Sequence, residues 1–453
     1  MRLADLAGRR VAVWGTGREG VAAAVAVREL SGTEVVGVDE NAGKDPAVWA
    51  EAAGPVPLVA GDAAFDALAG AQVVVKSPGI SRLHPWIPKL REAGVTVTSG
   101  TALWMADHAG QAIGITGSKG KSTTASLTHH LLDGLGYPGE LGGNIGVPML
   151  AMPAADRYVV EMSSYQCSEL RHPLRVAAVT ALFPEHFDWH GGQEQYYRDK
   201  LNILAQHPKH AVVNGLDPRL MAHLSTMESA GELGGLDLTV TGGPDSFHLV
   251  SDVFYWRDRR LFGRSALRLL GGHNAGNLCV ALGILAALGI DCVARRDEIA
   301  EVVQGFEALP HRLAPIPDPS GITFVDDTLS TSPQSAIFAI EAFAGRPLTL
   351  IVGGTDRGLD YAPLREFFAT RTVPATVIGI PDSGPRILAE LVDLPRLRVE
   401  SADDLPAAVR LSRELTPVGG VVLLSPAAPS YGRFTNFEHR SAVFREAIAA
   451  TAP

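Results

Sequence analysis

One pattern recurs along the chain. Four to six apolar residues are followed by a few glycines or hydroxyl-bearing residues, and then by a longer stretch of mixed polarity. A short apolar run bounded by turn residues reads as a buried strand, and apolar positions three and four apart read as an amphipathic helix. Their alternation predicts parallel sheets covered by helices. Strands are expected in RRVAVW, EVVGVD and QVVVK, then AIGIT, RYVVE and VAAVTALF, and finally ITFVD, LTLIV and VVLLS. Lys121 to about Gly134 reads as a helix, YYRDKLNIL as an amphipathic helix carrying Lys200, and NLCVALGILAALGI as an apolar, alanine-rich helix.

A length of 453 residues predicts about three domains. The expected class is α/β: a Rossmann-like domain over 1–107, a central P-loop ATPase-like parallel-sheet domain over 108–310, and a second Rossmann-like domain over 311–453. A net charge of −10 argues against a general affinity for nucleic acid or an anionic membrane. Anionic ligands must then be held by local constellations. Cys167, Cys279 and Cys292 have no metal-ligand spacing and read as core residues of a reduced compartment. Neither a secretory leader nor a bilayer-length apolar run is evident, so a cytoplasmic protein is expected.

The densest chemistry is in AIGITGSKGKSTT, residues 112–124. A loop of Gly117, Ser118, Lys119 and Gly120 between strand and helix lets backbone N–H groups converge on phosphate oxygens, where the helix N-terminus adds its positive end. Lys121 would reach the outer phosphates, the Ser122 hydroxyl would sit on Mg²⁺, and Thr123 follows. The spacing departs from the strict P-loop, because Ile115 lies five residues before Gly120. An ATP site is expected, against the plainer reading of a glycine-rich turn.

Earlier in the chain, Gly15-x-Gly17-x-x-Gly20 follows a strand, and Asp39 ends the next one. Alone this is a dinucleotide fingerprint, placing a pyrophosphate near Thr16 and Gly17 and a nucleoside hydroxyl near Asp39. Ser77-Pro78-Gly79-Ile80 is a tight turn at a third strand's carboxyl edge. Asn144 stands among glycines in ELGGNIGVP. Glu161 ends an apolar run, where a carboxylate is costly unless a cation meets it, and Mg²⁺ is the natural candidate; the alternative is an acid capping the next helix. Glu185, His186, Asp188 and His190 crowd into six residues as metal ligands, nucleotide contacts or ordinary turn chemistry. Lys200 by itself is a solvated lysine. Asn274 and Asn277 open a helix as caps or ligands, and Arg312 lies in the turn ALPHRLAP. In the last segment, Asp326, Asp327, Thr328, Ser330 and Thr331 follow one strand, GGTDRGLDY another, and SPAAPSYGRFTNF a third, which predicts a ligand edge on one sheet.

Taken together, GITGSKGKSTT, GGNIG, EMSSYQ, PEHFDWHG with Lys200, GGHNAGN, LPHR and SPAAPSYGRFTNF resemble, in order and over essentially the whole chain, the Mur ligase family of peptidoglycan synthesis, in its glutamate-adding members. The resemblance implies that ATP phosphorylates the carboxylate of UDP-N-acetylmuramoyl-L-alanine and that the glutamate amine then captures the acyl phosphate. It makes the GxGxxG turn a UDP pyrophosphate loop. It also implies that Lys121 and Ser122 hold phosphates and Mg²⁺, and that Glu161 and His186 are magnesium-associated. Lys200 would be a lysine whose carbamylation allows a second Mg²⁺. Asn144 would contact the muramoyl substrate, Asn274 and Asn277 the adenine or ribose, and Arg312 and Asp327 the ATP.

The departures from the family pattern are Lys119, Leu329, Arg357 and Tyr431. Three of them fall in loops expected to cradle the amino acid, where a leucine and a planar arginine in place of point charges should reshape recognition of a dicarboxylate. The loop SKGKS and the turn GGTDRGLD resemble the branch of the family that adds L-glutamate, which implies L-glutamate over D-glutamate, with Thr331, Arg357, Ser430 and Phe437 as pocket candidates and a separate epimerase as functional partner. The rival readings are the D-glutamate ligase, a folylpolyglutamate synthase, a nucleotide-binding switch protein and a nicotinamide dehydrogenase.

Overall fold

The computed structural model describes residues 1–183 and 187–453. Two compact units are resolved: Met1–Ala266 with Gly276–Gly305, and Leu267–Ala275 with Phe306–Pro453. The first unit contains three sheets and the second contains one.

The N-terminal sheet is built from β1 (Arg10–Trp14), β2 (Glu34–Asp39), β3 (Leu58–Ala60), β4 (Val73–Lys76) and β5 (Thr96–Ser99), in the order β3-β2-β1-β4-β5. All pairings are parallel, and Val11, Ala12, Val13, Trp14 and Val73–Val75 are buried, as expected for strands covered on both faces. The chain reverses its direction of travel between β1 and β4, so a crevice opens at the ends of those strands.

A second parallel sheet comprises β6 (Ala112–Thr116), β7 (Glu140–Gly143), β8 (Tyr158–Glu161), β9 (Val176–Val179), β10 (His210–Asn214) and β11 (Leu238–Thr241), ordered β11-β10-β9-β6-β8-β7. Here the switch lies at β6, whose neighbours are β8 and β9. Three antiparallel strands follow, β12 (Phe247–Val250), β13 (Val253–Trp256) and β14 (Arg259–Gly263). Their first turn places Ser251 and Asp252 at φ 48° and 57°, the left-handed conformation that a two-residue hairpin requires.

In the second unit, β15 (Ala314–Ile316), β16 (Thr323–Asp326), β17 (Leu348–Val352), β18 (Ala375–Gly379), β19 (Leu397–Ser401) and β20 (Val421–Leu424) form a sheet ordered β15-β16-β20-β17-β18-β19. Only the β15–β16 pair is antiparallel. Strand β20 inserts between β16 and β17, which brings the three loops noted in the sequence side by side at one edge. Among the described residues, no helix is long and apolar enough to cross a membrane.

Candidate functional site

The glycine loop leaves β6 at the switch point and enters the helix Lys121–Gly134. Gly120 is its N-cap at φ 86°, and an added Cβ there would press on Asn277 Oδ1 and Thr180 Cβ. Gly117 is equally confined, by the Thr180 hydroxyl, which lies within hydrogen-bond reach of the carbonyls of Thr116 and Lys119. The Ser118 amide donates to Ala181 O at 2.6 Å, and its hydroxyl lies 2.6 Å from Tyr196 Oη. Lys121 Nζ donates to Ser118 O at 3.0 Å, so its ammonium curls over the loop. Ser122 is buried at the first turn, while Lys119 and Thr123 are half-buried. The chain thus ties the loop from behind, through β9 and the helix carrying Tyr196, and the backbone N–H groups do not need to move to receive an anion.

One buried charged group lies beside β6 and another reaches this loop. Glu161 is the last residue of β8 and pairs in register with Ile115. It is 1 % exposed; Asn144 Nδ2 donates to its Oε1 at 2.8 Å, while Oε2 is buried with no hydrogen-bond partner among the described residues. The helix-capping alternative is ruled out, because Ser163 caps the helix Ser164–Glu169 in a capping box with Gln166. Lys200 is 2 % exposed, not solvated: its Nζ donates to Gly117 O at 2.8 Å and lies 5.1 Å from the Tyr196 ring centre. The amphipathic pattern of its helix, Gln193–Ala205, turns that face inward. Glu185 and His186 lie outside the described residues.

At the first crevice, Thr16 donates from its hydroxyl (2.6 Å) and its amide (3.2 Å) to Asp39 Oδ2, so Asp39 shapes the glycine turn. Ser77 Oγ donates to Gly15 O at 3.2 Å. A Cβ on Gly20 would overlap the Gly15 carbonyl oxygen, which is why that position is glycine. Gly17 is the N-cap of the helix Arg18–Arg28. Arg18 Nη1 donates to Gly146 O at 3.0 Å, which joins this turn to the Asn144 loop. Glu19, next in the turn, is half-buried, and its carboxyl is pushed up to about 7, first by desolvation, with Glu169 adding repulsion against the opposing pull of Arg18.

Within the second unit, Asp327 is buried, and its carboxyl is raised to about 6 by desolvation, against the hydrogen bonds of Ser330 and Ser425 and the charge of Arg312. Ser430 is buried, Thr331 and Arg357 are exposed, and the Arg357 guanidinium lies 6.0 Å from the Tyr431 ring centre. Phe437 opens the helix Phe437–Ala450 and meets His311 edge to face at 5.6 Å. Asn274 belongs to this unit, with its amide on Leu270 O at 2.6 Å, whereas Asn277 packs on Gly120 in the other.

Sequence reasoning missed Arg440. It is fully buried and donates to Thr328 Oγ1 and O, both at 2.7 Å, and to Ala428 O at 3.1 Å, so it clamps the loops after β16 and β20. It also missed Asp199 and Ser164, which flank His190. No local signal marks these residues. Their partners are remote in sequence. The three cysteine thiols are buried and pushed up by burial, Cys279 and Cys292 to about 12, so none is a nucleophile.

A glycine loop fixed at the switch point of a parallel sheet, with a buried carboxylate and a buried lysine at its base, defines a nucleotide-using enzyme of the P-loop type. Comparison with known proteins narrows the class. A family model described as the Mur ligase middle domain matches residues 115–285. The chain is 59 % identical to the UDP-N-acetylmuramoyl-L-alanine--L-glutamate ligase of a Micromonospora species, covering 100 % of this chain and 99 % of that one. It is 37 % identical to the enzyme of the same name from Xanthomonas oryzae pv. oryzae, over 98 % and 96 %. The fold is that of the UDP-N-acetylmuramate-alanine ligase of Thermotoga maritima (18 % identity, TM-score 0.60, 98 % and 100 % covered) and of a MurF ligase from the same organism solved with ADP (18 %, 0.57, 98 % and 95 %). This protein belongs to the Mur ligase family.

Proposed function

We propose that the protein is an ATP-dependent ligase that joins L-glutamate to UDP-N-acetylmuramoyl-L-alanine. The observation that carries this reading is the full-length, 59 % identity to an enzyme named for that reaction. The L-enantiomer is supported by the names of the relatives, and the departures at Leu329, Arg357 and Tyr431 lie in loops that line one edge of the C-terminal sheet. We divide the chain functionally into a UDP-sugar domain (1–107), an ATP and ligase domain (108–310) and an amino-acid domain (311–453).

In this reading, the loop Gly117–Thr123 holds the triphosphate and Lys121 neutralises its outer end. The terminal phosphoryl group passes to the alanyl carboxylate, and the glutamate amine displaces phosphate from the resulting acyl phosphate. Positioning and charge neutralisation do most of the work. Thr16, Gly17, Asp39, Ser77, Gly79 and Asn144 are assigned to the sugar nucleotide. Asn274, Asn277, Arg312 and Asp327 are assigned to ATP, and Thr331, Arg357, Ser430 and Phe437 to glutamate.

The bare, buried Glu161 Oε2 fits a divalent cation, because a carboxylate oxygen without a donor is costly inside protein. Ser122, Glu161, His186 and Lys200 would hold one or two Mg²⁺ ions, which neutralise charge on the transferred phosphoryl group. Carbamylation of Lys200 would make it an anionic ligand beside Gly117. The buried free thiols suit a cytoplasmic protein, and an L-glutamyl product calls for a downstream epimerase.

The test is incubation with UDP-N-acetylmuramoyl-L-alanine, ATP, Mg²⁺ and each glutamate enantiomer, scored by product mass and ADP release. Product with L-glutamate is expected. Product with D-glutamate alone would reassign the amino acid, and ADP release without amide formation would favour a nucleotide switch.

A further inference from the structure

Between the sugar-nucleotide turn and Lys200 lies a dipeptide to which the reaction above gives no role. Trp189 and His190 end the short helix Phe187–His190. Trp189 is held by the loop after β4 at both ends of the residue: Ser81 Oγ donates to its carbonyl at 2.6 Å, and its Nε1 donates to Gly79 O at 3.0 Å. Its ring stacks on Tyr165 at 4.4 Å with planes 26° apart.

His190 faces the other way. It is 1 % exposed, with Nδ1 2.7 Å from Asp199 Oδ2 and Nε2 3.0 Å from Ser164 Oγ. The carboxylate can only accept, so Nδ1 carries the hydrogen, and Nε2 and the Ser164 hydroxyl share the second hydrogen bond. Asp199 is fixed further by Gln195 Nε2 at 2.8 Å and by Arg82 Nη2 at 3.3 Å. Arg82 belongs to the same loop as Gly79 and Ser81. Asp199 directly precedes Lys200, whose Nζ rests on Gly117 O. Ser164 is the first residue of the helix that follows β8 and Glu161.

We propose that Trp189 and His190 are positioning residues that transmit the placement of the Gly79–Arg82 loop to Lys200 and to the end of β8. The sugar nucleotide, on seating against Ser77 and Gly79, thereby sets the lysine that faces the phosphate loop. The proposal rests on the assignment of Ser77 and Gly79 to that substrate. Hydrogen bonds, the Arg82–Asp199 ion pair and adjacency along the chain connect the links; His190, Asp199 and Ser164 are buried, so none of these three can be replaced by water at low cost, while Arg82 is 38 % exposed.

Three variants of the full-length chain test this, with calorimetric binding of UDP-N-acetylmuramoyl-L-alanine and steady-state kinetics as readouts. Trp189→Phe keeps an aromatic ring on Tyr165 but removes the donor to Gly79. It is expected to raise Kd and KM for the sugar nucleotide about tenfold, with KM for ATP within about twofold. His190→Ala should lower kcat by about tenfold or more with sugar-nucleotide Kd little changed, and His190→Asn, which can still donate to Asp199, should recover most of it. Folded variants with wild-type constants would overturn the coupling alone, as would an equal rise in both KM values with a lowered melting temperature. If the wild-type protein binds no UDP-N-acetylmuramoyl-L-alanine, the substrate assignment falls first and the coupling with it.

Discussion

Lys200 Nζ donates to the carbonyl oxygen of Gly117 across 2.8 Å, joining residues 83 positions apart in the chain. A lysine is thereby buried at the base of the glycine loop, in contact with backbone and an aromatic face. Lys200→Ala is expected to lose most ligase activity and to regain part of it with added short carboxylates, which can occupy the place of a carbamate. Product formation with and without acetate measures this, and wild-type turnover would return Lys200 to a packing role.

Lys121 is the loop's own cation. Lys121→Ala should abolish ADP release, since developing charge on the outer phosphates then meets no ammonium. A loss of about 10²-fold or more in kcat is expected, read by a coupled ADP assay. Near-normal turnover would refute the assignment.

Glu161 is bound by Asn144 through one oxygen and leaves the other bare. Glu161→Gln removes the charge while keeping the shape. The Mg²⁺ concentration for half-maximal activity should rise about tenfold, while chelation with EDTA should silence the wild-type enzyme.

Glu19 has a carboxyl raised from 4.5 to about 7, so the folded chain holds a proton that the unfolded chain gives up. By linkage, stability is unaffected by this group below about pH 4.5, falls as pH rises towards 7, and stays lower above it. The cost is at most about 3 kcal/mol. Glu19→Gln should therefore raise the melting temperature at pH 8 and leave it nearly unchanged at pH 4. A uniform shift at both values would show that titration is not the cause.

Arg440 satisfies three buried oxygens, from Thr328 and Ala428. Arg440→Ala strands them and should destabilise the second unit by about 3 kcal/mol, seen in urea unfolding. An unchanged midpoint would mean that water or another donor replaces it.

Much of this was legible in one dimension. Every strand read from an apolar run is present, and the loops around Gly15, Gly117 and Ser77 lie at strand ends. Such runs need no distant partner to be recognised, because a strand buried on both faces must be apolar throughout. The hairpins of β12–β14 were overlooked: their strands mix arginine, histidine and aromatics, and their turns use Ser251 and Asp252 in the first and Arg257 in the second at positive φ in place of glycine.

The sequence alone determined the family and the glycine loop between β6 and the helix Lys121–Gly134, because an apolar run and the turn residues that end it are neighbours along the chain. Only the tertiary structure decided that Lys200 is buried rather than solvated, that Asp39 holds Thr16, that Arg440 clamps two loops, and that His190 joins Asp199 to Ser164. Each of these depends on which partner stands opposite a polar side chain. Strand order sets that partner: β6 enters between β8 and β9, and β20 between β16 and β17. Local propensity carries no record of strand order, so no reading of neighbours along the chain could supply those pairs.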